Sequence, residues 1–391
     1  MSWRDLDESD VRLRPNPRGS RRRTKERPAH EDAVPGFVLA VDRGRYTVLV
    51  AAGVGGRREP ERLVTAMKAR DLGRKGVVVG DRVALVGDTT GSPDALARIV
   101  RLEPRRSVLR RSADDTDPVE RVIVANADQL VIVSSLANPE PRPRLIDRCL
   151  VAAYDAGLDP LLVLTKSDLV DPQPFLTAYA PLAVPHVVTS WGGASRQVAG
   201  EETTTSDFAG LEELRDRLAG RISVLVGHSG VGKSTLVNSL VPDARRATGD
   251  VNDVTGRGRH TSTSAVALRL PGPAGRTGWV VDTPGIRSFG LAHVDLERII
   301  VHFPDLEPGT QDCPRGCTHD EPDCALDAFV TAGRAGPAGA ARLDSLRRLL
   351  RARSGTTDDH AEQSEHTDHT DRYLDMPPDQ EPAQTRTDPA D

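Results

Sequence analysis

The run GHSGVGKS, from Gly227 to Ser234, has the residue types and spacing of a phosphate cradle. It fits G-x-x-x-x-G-K-[ST], follows the apolar run ISVLV and opens the helical run TLVNSL, the context this motif needs. Gly227, Gly230 and Gly232 free the backbone of His228, Ser229, Val231 and Thr235 to turn amides toward phosphate oxygens. Lys233 is placed to bridge β- and γ-phosphates, Ser234 to offer a hydroxyl to Mg²⁺, and the helix N-terminus adds a favourable field. A ligand-free strand–helix turn would not account for the whole pattern with its flanks.

Two further runs supply what a nucleotide switch requires. VVDTPG, Val280 to Gly285, sets an acid at the tip of an apolar strand. Asp282 would hold a Mg²⁺ water and the Gly285 amide would sense the γ-phosphate. TKSD, Thr165 to Asp168, ends another apolar strand and fits [NT]-K-x-D. The Asp168 carboxylate would accept from the ring N–H and exocyclic amine of guanine, which adenine does not present. The Lys166 stem would lie on the base, with Ser167 beside it. Thr165 stands where Asn is commoner, which predicts a weaker tether to the phosphate loop. By itself TKSD is a common tetrapeptide; its place at a strand end gives it meaning.

Between these runs, TGDVNDVTGRGRHTSTSAV is rich in Gly and Thr and poor in apolar residues, as a switch loop would be. Thr261, ahead of Thr263, is the expected Mg²⁺ ligand in the triphosphate state. Ile286 stands where Ras-like enzymes place a water-orienting Gln, so slow intrinsic hydrolysis is expected, with His260 the substitute to test against plain solvation.

CPRGCTHDEPDC offers Cys313, Cys317, His319 and Cys324 at C-x3-C-x-H-x4-C. Three thiolates and an imidazole close a tetrahedral Zn²⁺ shell and leave no place for water, so the expected role is structural. Pro314, Gly316 and Pro322 suit the tight turns. The alternative is free thiols. Cys149 falls on the apolar face of a helical run and reads as core.

The chain of 391 residues is long enough for two or three domains at roughly 100–200 residues each. Hydrophobic residues are 38%, charged 28% and aromatic only 3%, so Val, Leu, Ile and Ala must build the core. No apolar stretch of about 18 residues is present, so no membrane span is expected. The polar, Arg-rich start lacks the apolar region of a signal peptide. Clustered thiols point to metal binding in a reducing, cytoplasmic setting rather than to a disulfide framework. Residues 354–391 hold 11 acidic residues against 2 Arg, so that tail carries −9 of the net −5 and the remainder carries +4.

Texture divides the chain into five parts. Residues 1–33 read as a disordered basic arm, either solvated or meeting a polyanion. Residues 34–103 hold five short β-branched runs, among them GVVVGDRVALVG, which suit a small OB-like β-barrel or an SH3-like one. Residues 104–302 alternate strand and helix as a doubly wound α/β domain. There VIVANADQLVIVSSL reads as one buried strand and PRPRLIDRCLVAAYDAG as a helix with Leu145, Ile146, Cys149 and Leu150 on one face. Residues 303–353 hold the Cys/His knuckle and a basic helix. Residues 354–391 read as a disordered acidic tail.

In ordinary GTPases the phosphate loop comes first and the guanine reader last. Here TKSD precedes GHSGVGKS, which precedes DTPG. Loops at one sheet edge tolerate that rotation of chain order. With VVVGDRVALV, RRSVLRR, VIVANADQLVIV, GRHTST, DTPGIRSFG and the knuckle, the chain resembles the RsgA family of circularly permuted GTPases over residues 34–350. The resemblance implies a multidomain protein: an OB-like β-barrel, a circularly permuted P-loop GTPase domain and a zinc-knuckle and helical domain. It also implies a GTPase stimulated by the small ribosomal subunit, acting late in its assembly as a monomer, with barrel and zinc module on rRNA. The family's knuckle is commonly C-x4-C-x-H-x5-C, so two gaps here are shorter by one. The family's guanine-ribose loop is only approximated by Thr189 to Gly193. Two other readings stand beside this one: a nucleotide-gated RNA clamp with little turnover, which Ile286 allows, and a permuted GTPase of the large subunit, against which barrel and knuckle speak.

Overall fold

Seven consecutive residues, Gln129–Ser135, are all buried, the mark of a strand covered on both faces. They form the centre of an α/β sheet whose parallel strands run, across the sheet, His186–Val188, Asp159–Thr165, Gln129–Ser135, Ile222–Val226 and Gly278–Asp282. In the computed structural model the described residues are 30–54, 59–73, 76–111, 121–191, 208–241, 265–272, 275–283, 291, 294 and 299–354.

The chain begins with β1 (Val34–Asp42), β2 (Arg45–Val50), β3 (Arg62–Lys68), β4 (Arg82–Gly87) and β5 (Ala97–Leu102). Their order is β1-β2-β3-β5-β4, and β4 returns to pair with β1, so the sheet closes into a barrel. The β3–β5 pair is parallel and the others antiparallel. This closure is that of an OB-like barrel and removes the free edges. Alternate residues, Val48 and Val50, Val64 and Ala66, Ala97 and Ile99, fill its interior. Of the run GVVVGDRVALVG only Arg82–Gly87 is strand; the Asp81 carboxylate before it accepts from the Val78 amide at 2.8 Å and pairs with Arg105 at 2.7 Å.

A hairpin follows, β6 (Val108–Arg111) and β7 (Arg121–Ala125), then β8 (Gln129–Ser135). The expected single strand VIVANADQLVIVSSL is therefore two strands. Asn126, at φ 56°, breaks it. Its side chain accepts from the Arg106 amide at 2.8 Å and donates to the Gly80 carbonyl at 2.9 Å, so a junction with the barrel overrides local apolarity.

Strand and helix alternate, as anticipated, from α1 to β10, and the described elements are α1 (Pro143–Asp155), β9 (Asp159–Thr165), α2 (Gln173–Tyr179), β10 (His186–Val188), a ribbon of β11 (Ser190–Trp191) and β12 (Phe208–Ala209), α3 (Leu211–Leu218), β13 (Ile222–Val226), α4 (Lys233–Leu240), the strand pair β14 (Val266–Leu270) and β15 (Gly278–Asp282), and then α5 (Ala325–Thr331) and α6 (Gly339–Ser354). Pro143 opens α1, where its missing N–H costs nothing. Two apolar layers cover the sheet: α3 and α4 on one face, α1 and α6 on the other. Cys149 is core, as expected; burial pushes its thiol up to about 12. Leu343, Leu346, Leu349 and Leu350 of α6 enter the same cluster as Ile146 and Leu150 of α1, so the C-terminal helix is built onto the α/β layer.

Strand β14 runs antiparallel to β15 and also pairs with β1. Barrel and α/β sheet are thus one continuous sheet of eleven strands. No helix among the described residues is long and apolar enough to cross a membrane.

Candidate functional site

The loops with chemistry leave the carboxyl ends of neighbouring parallel strands. TKSD begins on the last residue of β9, the glycine loop follows β13 and DTPG begins on the last residue of β15. With β8 and β15 flanking β13, the glycine loop lies at the point where the strand order reverses, where open α/β sheets place ligands.

The glycine loop owes its path to close approaches and left-handed turns. A Cβ on Gly227 would lie 2.4 Å from the Val133 carbonyl oxygen. Gly232, at φ 89°, opens α4 from the left-handed region, which side chains rarely adopt. His228 and Ser229 form the outer loop, where the His228 ring meets the Ser229 carbonyl at 2.9 Å. Val231 is buried beneath, while Ser234 and Thr235 face outward on the first turn of α4.

The sequence predicts a weak tether from Thr165, and here the structure differs. The buried Thr165 hydroxyl donates to the Val231 carbonyl at 2.7 Å, tying the TKSD loop directly to the glycine loop. Lys166, at φ 60°, adds a second tie: its ammonium donates to the Gly230 carbonyl at 3.0 Å and to that of Asn138. The Ser167 amide donates to Thr189 O at 3.3 Å and its hydroxyl to the same oxygen at 3.2 Å. The Asp168 carboxylate is exposed at the rim. Residues Thr189–Trp191 of the approximated ribose loop therefore sit beside TKSD; Gly192 and Gly193 lie outside the described residues.

Asp282 ends β15 in register with Leu225 of β13. One of its oxygens, Oδ1, is buried without a hydrogen-bond partner among the described residues, and the Lys233 ammonium stands 3.8 Å from it. A buried acceptor without a donor is costly unless a cation or its water takes the lone pair. That fits a Mg²⁺ shell drawn from Asp282 and Ser234. Thr283 was missed by motif reading: its hydroxyl donates to the Leu225 carbonyl at 2.8 Å and pins the start of the DTPG loop to the glycine-loop strand. His260, Thr261, Thr263, Gly285 and Ile286 lie outside the described residues.

The second cluster is local. Sγ of Cys313, Cys317 and Cys324 and a ring nitrogen of His319 all lie within 4.8 Å of one another. His319 Nδ1 is 3.6 Å from Cys313, 3.8 Å from Cys317 and 3.9 Å from Cys324, and the Cys313–Cys324 sulfurs are 3.8 Å apart. Zinc bonds of about 2.3 Å to sulfur and about 2.0 Å to nitrogen give tetrahedral edges of about 3.8 and about 3.5 Å, so the donors fit Zn²⁺. Two residues turn the knuckle through the left-handed region, Gly316 at φ 79° and His319 at φ 69°. Burial pushes all three thiols up from their ordinary value, so thiolates there call for a bound cation.

Glu321 braces the knuckle by accepting from the Thr318 amide and hydroxyl, which hold its carboxyl down at about 2. Arg347 of α6 reaches both Asp327 oxygens, at 2.9 and 2.6 Å, and the His319 carbonyl at 3.0 Å; Arg351 holds Asp320 at 2.9 and 2.7 Å.

Comparison with known proteins agrees with this geometry. Residues 102–292 match the family model described as RsgA GTPase. The small ribosomal subunit biogenesis GTPase RsgA of Pseudomonas aeruginosa is 39% identical over 284 residues, covering 70% of this chain and 75% of the relative. That of Pseudomonas fluorescens is 40% identical over 269 residues, covering 66% and 70%. The crystal structure of YjeQ from Thermotoga maritima superposes with a TM-score of 0.55 at 26% identity, over 83% of this chain and 99% of that one. YloQ, described as a circularly permuted GTPase, superposes at 0.54 with 20% identity and shares the fold. The permuted loops around one sheet edge, the barrel, the Cys/His cluster and these likenesses together make the chain a member of the RsgA GTPase family, a GTP-hydrolysing enzyme.

Proposed function

We propose that this chain hydrolyses GTP to GDP and phosphate on the small ribosomal subunit during late assembly, and that the subunit stimulates the reaction. The observation that carries this is the Thr165–Val231 hydrogen bond, which joins the TKSD loop to the glycine loop. The names of the Pseudomonas relatives supply the small subunit as the partner.

In this reading Asp168 selects guanine and Lys166 lies along the base. Amides of Gly227 to Thr235 and the Lys233 ammonium hold the phosphates, which spreads the charge that builds on the leaving group. Mg²⁺, when bound with GTP, supplies charge neutralisation at the phosphates; Ser234, Asp282 and Thr261 are its protein partners. His260 orients water in place of the Gln that Ile286 replaces, and the Gly285 amide reports the γ-phosphate. Zn²⁺ at Cys313, Cys317, His319 and Cys324 is structural. The barrel of residues 34–103 and the module of residues 303–353 contact rRNA on either side of the GTPase domain of residues 104–302, and the protein works as a cytoplasmic monomer.

Phosphate release measured with and without purified small subunits tests the proposal. Strong stimulation is the expected result. GTP binding without turnover in both conditions would replace it with the clamp, and stimulation by large subunits alone would name the other particle.

A further inference from the structure

Among the described residues, the barrel's one ladder to the α/β sheet joins β1 to β14, whose other partner is β15, the strand that ends in Asp282. Val266, at the head of β14, is in register with Asp282 on one side and with Ala40 of the barrel on the other. Ala40, Val266 and Asp282 therefore form one row across the sheet. At about 4.8 Å per strand spacing, the barrel backbone stands about 10 Å from that of the acid at the phosphate site.

A side-chain stack reinforces the row. Arg269 of β14 and Trp279 of β15 are cross-strand partners, and the Arg269 guanidinium lies 5.4 Å from the Trp279 ring centroid. Trp279 also meets Phe37 of β1, centroid to centroid 5.3 Å with planes tilted at 51°. Arg269 also pairs with Glu61 at the entrance to β3, at 2.5 Å. The stack therefore runs Glu61, Arg269, Trp279, Phe37, and begins and ends in the barrel.

We propose that Phe37, Glu61, Arg269 and Trp279 are positioning residues through which the barrel reads the state of the nucleotide. Resting on the small-subunit reading above, this names how nucleotide governs subunit affinity. A shift of Asp282 with the phosphates moves the β14–β15 pair, and the pair carries β1 with it because ladder and stack resist shear. Packed strands respond as units rather than by graded bending. Coupling of this kind is reciprocal: the subunit, gripping the barrel, changes nucleotide affinity by the factor with which nucleotide changes subunit affinity.

The test uses the full chain, purified small subunits, GDP and a hydrolysis-resistant GTP analogue. The quantity read is the ratio of subunit affinities in the two nucleotide states. Phe37→Ala is expected to cut that ratio by about three- to tenfold while analogue affinity without subunits is kept. E61R and R269E are each expected to cut it by about two- to fivefold, and the double exchange E61R/R269E to restore it. An unchanged ratio in Phe37→Ala overturns the inference, as does a loss of subunit affinity equal in both states, since that would mark a merely structural contact. Where Phe37→Ala melts early, failure of the charge exchange to restore the ratio overturns it instead. Amide exchange at β1 without subunits separates the two readings. Rates that differ between analogue and GDP support the coupling even where subunits do not bind; equal rates overturn it even where they do.

Discussion

The nucleotide edge and the Cys/His knuckle are both small clusters of polar side chains, yet they are built in opposite ways. The first gathers Thr165, Val231, Lys233 and Asp282 from three strands, and protein-to-protein hydrogen bonds already hold its loops together. The second takes its donors from Cys313 to Cys324, and those donors meet chiefly one another. One site is framed by a sheet. The other has turns for a frame and leaves the centre to an ion. Dependence on ligand should therefore fall unequally on the two.

The largest effect expected is from zinc removal. Structural zinc supplies on the order of 10 kcal/mol to small metal modules. A zinc-selective chelator, with Mg²⁺ resupplied, is expected to open residues 313–324 to protease while GTP binding continues, since α6 stays packed on α1. A parallel fall in GTP affinity would erase the contrast between the two regions. So would freshly purified protein without zinc in metal analysis.

Next is Ser234→Ala, which removes a Mg²⁺ partner and is expected to lower stimulated phosphate release by about a hundredfold or more, with the fold unchanged. Undiminished release would mean that the glycine loop is not the reacting site.

Asp168→Asn is expected to lower the preference for GTP over xanthosine triphosphate by about a hundredfold, because an amide can pair with the carbonyl that replaces guanine's amine. Competition binding with both nucleotides reads the change; an unaltered preference places base selection elsewhere.

Thr165→Val sharpens the comparison most directly. It keeps the shape and leaves the buried Val231 carbonyl without its donor, at about 1–3 kcal/mol. GTP affinity is expected to fall by about fivefold, with a melting shift of a few degrees. If neither moves, the sheet alone positions the loops and the tether adds nothing.

Much of this was legible beforehand because the motifs report their own surroundings. GHSGVGKS demands a strand before it and a helix after it, and β13 and α4 are there. The Cys and His spacing likewise announced the cluster. The Asn126 break was not legible, since β7 and β8 share one apolar texture and the partner that splits them, Gly80, lies 46 residues away. Nor was the role of Thr165 visible: a hydroxyl can do the work of the commoner amide only if Val231 comes within reach. Thr283 was hidden for the same reason, its partner Leu225 being 58 residues distant.

The amino-acid sequence by itself determined the inventory: which residues are candidates to hold phosphate, read guanine and ligate zinc, the order in which they occur, and the strand and helix texture that carries them. Those are consequences of residue type and short spacing, which chain neighbours decide. Only the tertiary structure decided that β3 and β5 close the barrel in parallel, that α6 shares its core with α1, and that β14 joins the barrel to the phosphate site in one sheet. Hydrogen-bond ladders and packed faces between distant segments settle those matters, and nothing in a local pattern encodes which distant partner is met.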